Sequence, residues 1–186
     1  AEKIVDRLPG AEFCNIREGV ATVLQQNWKR YDAFVCIMAT GIVVRSIVSL
    51  LEDKRYDPAV VVCDEKGQFA ISLLSGHLGG ANQLARDVAC IAGGRAVITT
   101  ASDVGGQTAL DIWCRDSGLL AGDIKKLTAM SARLVNRGKL SFFLDDDCAL
   151  NLPPDFQLVD QKQDADVVVT NPTHYAVALK YDKEKS

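Results

Sequence analysis

The sequence predicts an α/β fold, a mostly parallel doubly wound sheet with one hairpin, followed by a smaller α/β domain. Three observations predict it. A continuous apolar run of strand length, residues 33–39 (AFVCIMA), marks a strand buried on both faces, and residues 59–63 (AVVVC) read as a further strand. Segments of helical apolar spacing alternate with them. A chain of 186 residues, 48% hydrophobic and 24% charged, can fill one or two cores without disulfide staples.

In chain order, residues 6–27 read as a helix, a short strand near residues 12–16 and a second helix carrying Val20, Val23 and Leu24. Residues 33–39 are a central strand, after which Thr40 and Gly41 open a helix over residues 42–51 with apolar residues on more than one face. Residues 59–63 and 69–74 (FAISLL) flank a loop whose Gly67 suits a left-handed position, so these two strands pair antiparallel. A Gly-rich loop, residues 75–82 (SGHLGGAN), leads into a helix that stops at Gly93 and Gly94. Residues 96–100 (AVITT) are a further strand. Gly105 and Gly106 separate this unit, residues 1–105, from a middle α/β domain over residues 106–170, with helices at 108–117 and 123–135 and strands at 140–144 and 166–170. Residues 171–186 form a tail. The chain starts at Ala1 inside a helical pattern, which leads us to expect a fragment.

A net charge of −3 and a pI near 5.4 supply no basic field, which argues against nucleic acid and anionic membrane as partners and favours a small molecule. A homo-oligomer is allowed. No apolar run approaches the roughly 18 residues of a membrane span. Six cysteines, Cys14, Cys36, Cys63, Cys90, Cys114 and Cys148, form no Cys-x-x-Cys pair. Cys36, Cys63 and Cys90 stand in apolar settings and read as core residues, and this usage suits the cytoplasm.

Ligands of open α/β sheets bind where strand carboxyl ends, loops and helix N-termini converge. Three segments end that way: Thr40-Gly41, residues 75–82 and residues 99–103. They are expected at a common edge, with free backbone N–H groups suited to anions. In the Gly-rich loop, Gly76, Gly79 and Gly80 permit close approach of a ligand, and His77 is a natural general acid or base. The plainer reading is a tight turn with His77 packed locally, for the loop is neither a P-loop nor a dinucleotide fingerprint. Arg45 either holds a substrate carboxylate or pairs with Glu52 or Asp53 on the helix surface. Asp103 is a general base or a helix cap. Asp145, Asp146 and Asp147 read as a solvated turn, so no metal site is assigned.

Residues 41–47 (GIVVRSI), 53–54 (DK), 57–62 (DPAVVV), 71–82 (ISLLSGHLGGAN) and 97–103 (VITTASD) together resemble the cobalt-precorrin-5A hydrolase family of anaerobic cobalamin biosynthesis. The resemblance covers that family's N-terminal domain and, more weakly, residues 109–169 of its middle domain. It implies a cobalt-corrinoid substrate whose ring-A δ-lactone is opened by water with loss of acetaldehyde, the cobalt belonging to the substrate and no cofactor to the protein. On this reading His77, Asp103 and Ser75 are the catalytic candidates. Thr40, Gly41, Arg45, Gly76, Gly79, Gly80, Asn82, Thr99 and Thr100 are the substrate-binding candidates, the Gly79-Gly80 backbone serving the developing oxyanion. The family also implies a preceding strand and a third, C-terminal domain, which the sequence lacks.

The tail departs from that pattern. Residues 171–182 (NPTHYAVALKYD) resemble the self-cleaving motif of the flagellar and type III secretion export-switch family. That resemblance implies a break between Asn171 and Pro172, with His174 in the motif, and offers an alternative function as a secretion-apparatus switch. A non-catalytic corrinoid-binding module is a further alternative.

Overall fold

The computed structural model describes residues 1–53, 56–145 and 150–170, and the backbone of residues 176–179. The chain divides into two compact units, residues 1–99 and 100–186.

The first unit contains α1 (Glu2–Arg7), α2 (Val20–Asn27), β1 (Ala33–Ile37), α3 (Thr40–Ile47), β2 (Ala59–Cys63), β3 (Phe69–Leu74), α4 (Ala81–Ala92) and β4 (Arg95–Val97). Its sheet has the order β1-β2-β3-β4, parallel between β1 and β2, antiparallel between β2 and β3, and parallel again between β3 and β4. Every residue of β2 is buried, because alternate side chains enter cores on opposite faces. Ala59, Val61 and Cys63 pack with Ile4 of α1 and Ala81, Ala85 and Val88 of α4. Val60 and Val62 pack with Leu24 of α2, Trp28, and Val43 and Ile47 of α3. The sheet is therefore covered by helices on both faces, which is why its strands read as unbroken apolar runs.

The β2–β3 turn is closed by Asp64, whose carboxylate accepts from the amides of Lys66 (2.9 Å) and Phe69 (2.7 Å). Those amides, Phe69 foremost, hold the Asp64 carboxyl below its ordinary pKa. Gly67 takes the left-handed conformation there, φ 68°, and its carbonyl lies where a side chain on Gly94 would stand.

Two expectations fail in this unit. Residues 11–16 form no strand. Glu12 is drawn to the Tyr31 hydroxyl (2.8 Å) and the Asn15 side chain accepts from the Arg17 amide (3.0 Å), while Phe13 and Ile16 remain exposed. Local side-chain bonds of this kind compete with a ladder. Cys90 is exposed rather than core, because α4 turns Ala85, Val88 and Ala89 inward and places Cys90 outward.

The second unit contains α5 (Ala101–Gly105), α6 (Leu110–Asp116), α7 (Ile124–Arg137), β5 (Leu140–Leu144), β6 (Phe156–Leu158), β7 (Val167–Thr170) and β8 (Ala176–Leu179). The sheet order is β6-β5-β7-β8, with β5 parallel to β6 and β7, and β8 antiparallel to β7. Asp123 caps α7, its side chain accepting from the amides of Lys125 and Lys126. Leu127, Met130 and Leu134 of that helix meet Leu140, Phe142, Phe156, Val167 and Val169, with Phe142 stacked on Phe156 at 4.2 Å. Asp166 ties this core to α7, pairing with Arg133 (3.0 Å) and accepting from the Ser141 amide (3.0 Å). Among the described residues no helix is long and apolar enough to cross a membrane.

Candidate functional site

The Gly-rich loop begins where β3 ends. Ser75 sits in the left-handed region, φ 57°, the only such residue besides glycines among those described. A side chain there costs about 1–3 kcal/mol, so the conformation persists because its surroundings impose it. They do so on three sides. Its hydroxyl donates to the Asp57 carbonyl (2.8 Å), and its own carbonyl accepts from the Ala81 amide (3.1 Å). Gly79 lies against it, where an added Cβ would crowd the Ser75 Cβ and stand 2.8 Å from the Ser75 carbonyl oxygen. His77 and Gly76 are half-buried, and Leu78 and Gly79 are exposed at the tip.

Three of the amides expected to be free are engaged within the loop. Gly80, left-handed at φ 84°, donates its N–H to the His77 carbonyl (2.9 Å), so it does not serve as an oxyanion donor. At the start of α4, Ala81 donates to Ser75 and Asn82 to the Gly76 carbonyl (2.9 Å). The loop folds back on its own helix N-terminus and uses the donors that an anion would otherwise take. Asn82 is buried, with its Oδ1 accepting from the Ser72 hydroxyl (2.7 Å), which fastens α4 to β3.

Nor do the three segments share one edge. Because the hairpin reverses the chain between β2 and β3, the carboxyl end of β1 lies at the edge opposite the carboxyl ends of β3 and β4. Thr40 and Gly41 are therefore across the sheet from residues 75–82, whereas Thr99 follows β4 at the loop's own edge. Arg45, exposed on α3, donates from Nη1 to the Gly41 carbonyl (2.9 Å). Of its two expected surface partners, Glu52 and Asp53, Glu52 is bound by Lys29 (2.7 Å). What the loop does meet is Asp57, at the amino end of β2, which sequence reasoning gave no role. Asp57 is buried, and its carboxylate accepts from the Glu52 amide at 3.0 and 3.3 Å. The signal available was an acidic residue immediately before Pro58 and a wholly apolar strand.

Thr100 and Asp103 open the second unit. The Thr100 hydroxyl donates to Asp103 Oδ2 (2.8 Å), an arrangement that closes the first turn of α5, with Thr100 at the N-cap position. Asn171, Pro172 and His174 lie outside the described residues, as do Lys54, Asp146, Asp147 and Cys148. The first unit has an apolar hollow of about 600 Å³ along β1, walled by α1 and α2, and a more polar one of about 540 Å³ bordered by Trp28, Lys29, Arg30 and Glu52. Neither is walled by residues 75–82. The buried thiols of Cys36, Cys63 and Cys114 are pushed up to about 11, chiefly by desolvation, and behave as small hydrophobes.

Residues 22–103 match the family model "Cobalamin synthesis G N-terminal", and residues 157–186 match the "FlhB HrpN YscU SpaS Family". Cobalt-precorrin-5A hydrolase of Salmonella typhimurium is 54% identical over 106 residues, 57% of this chain and 30% of that protein. The protein of the same name from Priestia megaterium is 41% identical over 122 residues, 66% of this chain and 33% of the relative. The tail is 59% identical over 29 residues to the flagellar biosynthetic protein FlhB of Bacillus subtilis, 16% of this chain and 8% of that protein. A solved cobalamin biosynthesis protein G homolog from Sulfolobus solfataricus shares the fold, with a TM-score of 0.54 at 22% identity over 96% of this chain and 54% of its own. The chain thus spans about a third of the hydrolases it matches. Both resemblances read from the sequence are found, and over residues 22–103, which include the whole Gly-rich loop, the chain is similar to the cobalamin synthesis G N-terminal family.

Proposed function

We propose that this chain is part of a cobalt-precorrin-5A hydrolase, opening the ring-A δ-lactone of a cobalt-corrinoid and releasing acetaldehyde. The observation that carries the reading is the loop of residues 75–82, a strained and tightly specified turn that presents a histidine within the matched residues 22–103. His77 takes a proton from water as the water oxygen adds to the lactone carbonyl. Collapse breaks the acyl–oxygen bond, leaving a carboxylate on ring A and an alkoxide that recovers the proton. His77, neutral again once the alkoxide has recovered the proton, takes the alcohol's proton as its carbon–carbon bond to the ring breaks. Acetaldehyde leaves, and the electron pair enters the conjugated macrocycle, so the protein supplies no organic cofactor. Thr99 joins the loop at its edge, and Arg45, bonded to the Gly41 carbonyl, lies across the sheet from it.

The test is to supply cobalt-precorrin-5A to the chain and measure trapped acetaldehyde. Release by the wild type and its loss in His77→Ala are expected. Undiminished release by His77→Ala removes His77 from the mechanism, and corrinoid binding without acetaldehyde would make the chain a binding module.

A second reading concerns the tail alone, favoured by its 59% identity to FlhB over 29 residues. Here the Asn171 side-chain nitrogen attacks its own backbone carbonyl, forming a succinimide and releasing Pro172 as a new N-terminus. Intact mass after long incubation decides it: two fragments divided after Asn171 support self-cleavage, and one unbroken mass rejects it.

A further inference from the structure

We infer that Asp57 and Ser75 are positioning residues for His77, acting as an anchor that links the start of β2 to the Gly-rich loop. The inference deepens the hydrolase reading and, for its catalytic consequence, rests on it. Ser75 stood among the catalytic candidates, but its hydroxyl proton is committed to the Asp57 carbonyl at 2.8 Å, 18 residues away in sequence. Its backbone is equally committed. The Ser75 carbonyl receives the Ala81 amide, and the two residues after Ser75 lend their carbonyls to Asn82 and Gly80, so one anchored residue sets the path of the whole turn that carries His77.

Asp57 is built to keep its carbonyl in place. Its carboxylate is buried and grips the Glu52 amide with both oxygens, which closes the connection between α3 and β2. Glu52 is held in turn by Lys29. From Lys29 through Glu52 and Asp57 to Ser75, contacts run along the sheet edge where the loop lies and stop one residue short of Gly76 and two short of His77. A left-handed serine, a glycine pressed against it and a buried carboxylate behind its acceptor are separate constraints on the same backbone point. A turn needing only flexibility would use none of them.

The chain holds two histidines, His77 and His174, so their ring resonances can be followed in the full chain with His174 as the internal reference. Ser75→Gly keeps the left-handed backbone accessible while removing the hydroxyl, and Ser75→Ala removes the hydroxyl alone. Both are expected to shift the His77 ring signals and leave those of His174 in place. Asp57→Ala should do the same, and Asp57→Asn, which retains an acceptor for Glu52, should restore the wild-type signals. Acetaldehyde release should fall about tenfold in kcat with KM unchanged in both Ser75 variants, a loss of the size that a misplaced general base produces. Unmoved His77 resonances in Ser75→Ala and Ser75→Gly overturn the inference, and a kcat loss with unmoved resonances would return Ser75 to direct contact with substrate. A wild type without activity defeats the hydrolase reading and leaves the resonance comparison to decide the anchor.

Discussion

Asp155 receives both polar hydrogens of Thr108, the amide at 2.7 Å and the hydroxyl at 2.8 Å, across 47 residues of sequence. The pair fixes the segment before α6 to the start of β6, and a charged acceptor makes such bonds stronger than neutral ones. Asp155→Ala strands a half-buried amide, so the second unit should lose about 1–3 kcal/mol. Urea unfolding followed by Trp113 fluorescence measures this, and an unchanged midpoint would show the pair to be incidental.

Gly79→Ala should disturb the loop more than its size suggests. The added Cβ meets the Ser75 side chain and stands 2.8 Å from the Ser75 carbonyl oxygen, and that residue is anchored and cannot withdraw. We expect about 1–3 kcal/mol of destabilisation, typical of overpacking. Gly80→Ala, whose added carbon meets open space, tests a different cost, that of φ 84°. Equal melting temperatures for Gly79→Ala and wild type would contradict the crowding.

Acid should weaken the β2–β3 turn. Asp64 is held below its ordinary pKa by amides it accepts from in the fold, so its contribution is present above the unfolded carboxylate pKa and is lost as pH falls through the lower folded value. Thermal melts of wild type and Asp64→Asn should differ at neutral pH and converge as the pH is lowered past the carboxylate range. Curves that stay parallel throughout would assign the difference to something other than this charge.

Thiol labelling should sort the cysteines by burial. Cys14 and Cys90 are exposed, whereas Cys36, Cys63 and Cys114 are buried with thiols raised to about 11. At neutral pH an alkylating reagent should modify the first two in the native protein and the other three only after denaturation. Peptide mass mapping reads the order, and rapid native labelling of Cys63 would mean that β2 is not the buried centre of its sheet.

The elements were legible where burial is two-sided. Residues 59–63 are apolar at every position because both faces of β2 are covered, and Gly67 announced the turn that follows. Residues 12–16 misled for the opposite reason: a short strand needs a partner strand, and Glu12 and Asn15 spend their side chains locally. The short elements α5 and β6 passed unread because three to five residues carry little periodicity.

The site was legible in composition and less so in arrangement. Residues 75–82 stood out as a strand-to-helix loop whose glycines were expected to admit a ligand, and the close approach found at Gly79 is that of Ser75 in the same loop. The occupied amides of Gly80, Ala81 and Asn82 were hidden, because only the fold shows a loop's carbonyls turning onto its own helix. Asp57 was hidden as well, since its partner Ser75 is brought near by strand pairing rather than by spacing.

The reversal between β2 and β3 has a metric meaning. A strand of five residues spans about 17 Å at its usual rise, so Gly41 and His77 stand roughly a full strand apart. No single carboxylate can touch both. Substitution at Arg45 should thus leave the turn around His77 as it is, which makes α3 a natural place for a reporter dye that does not touch the loop.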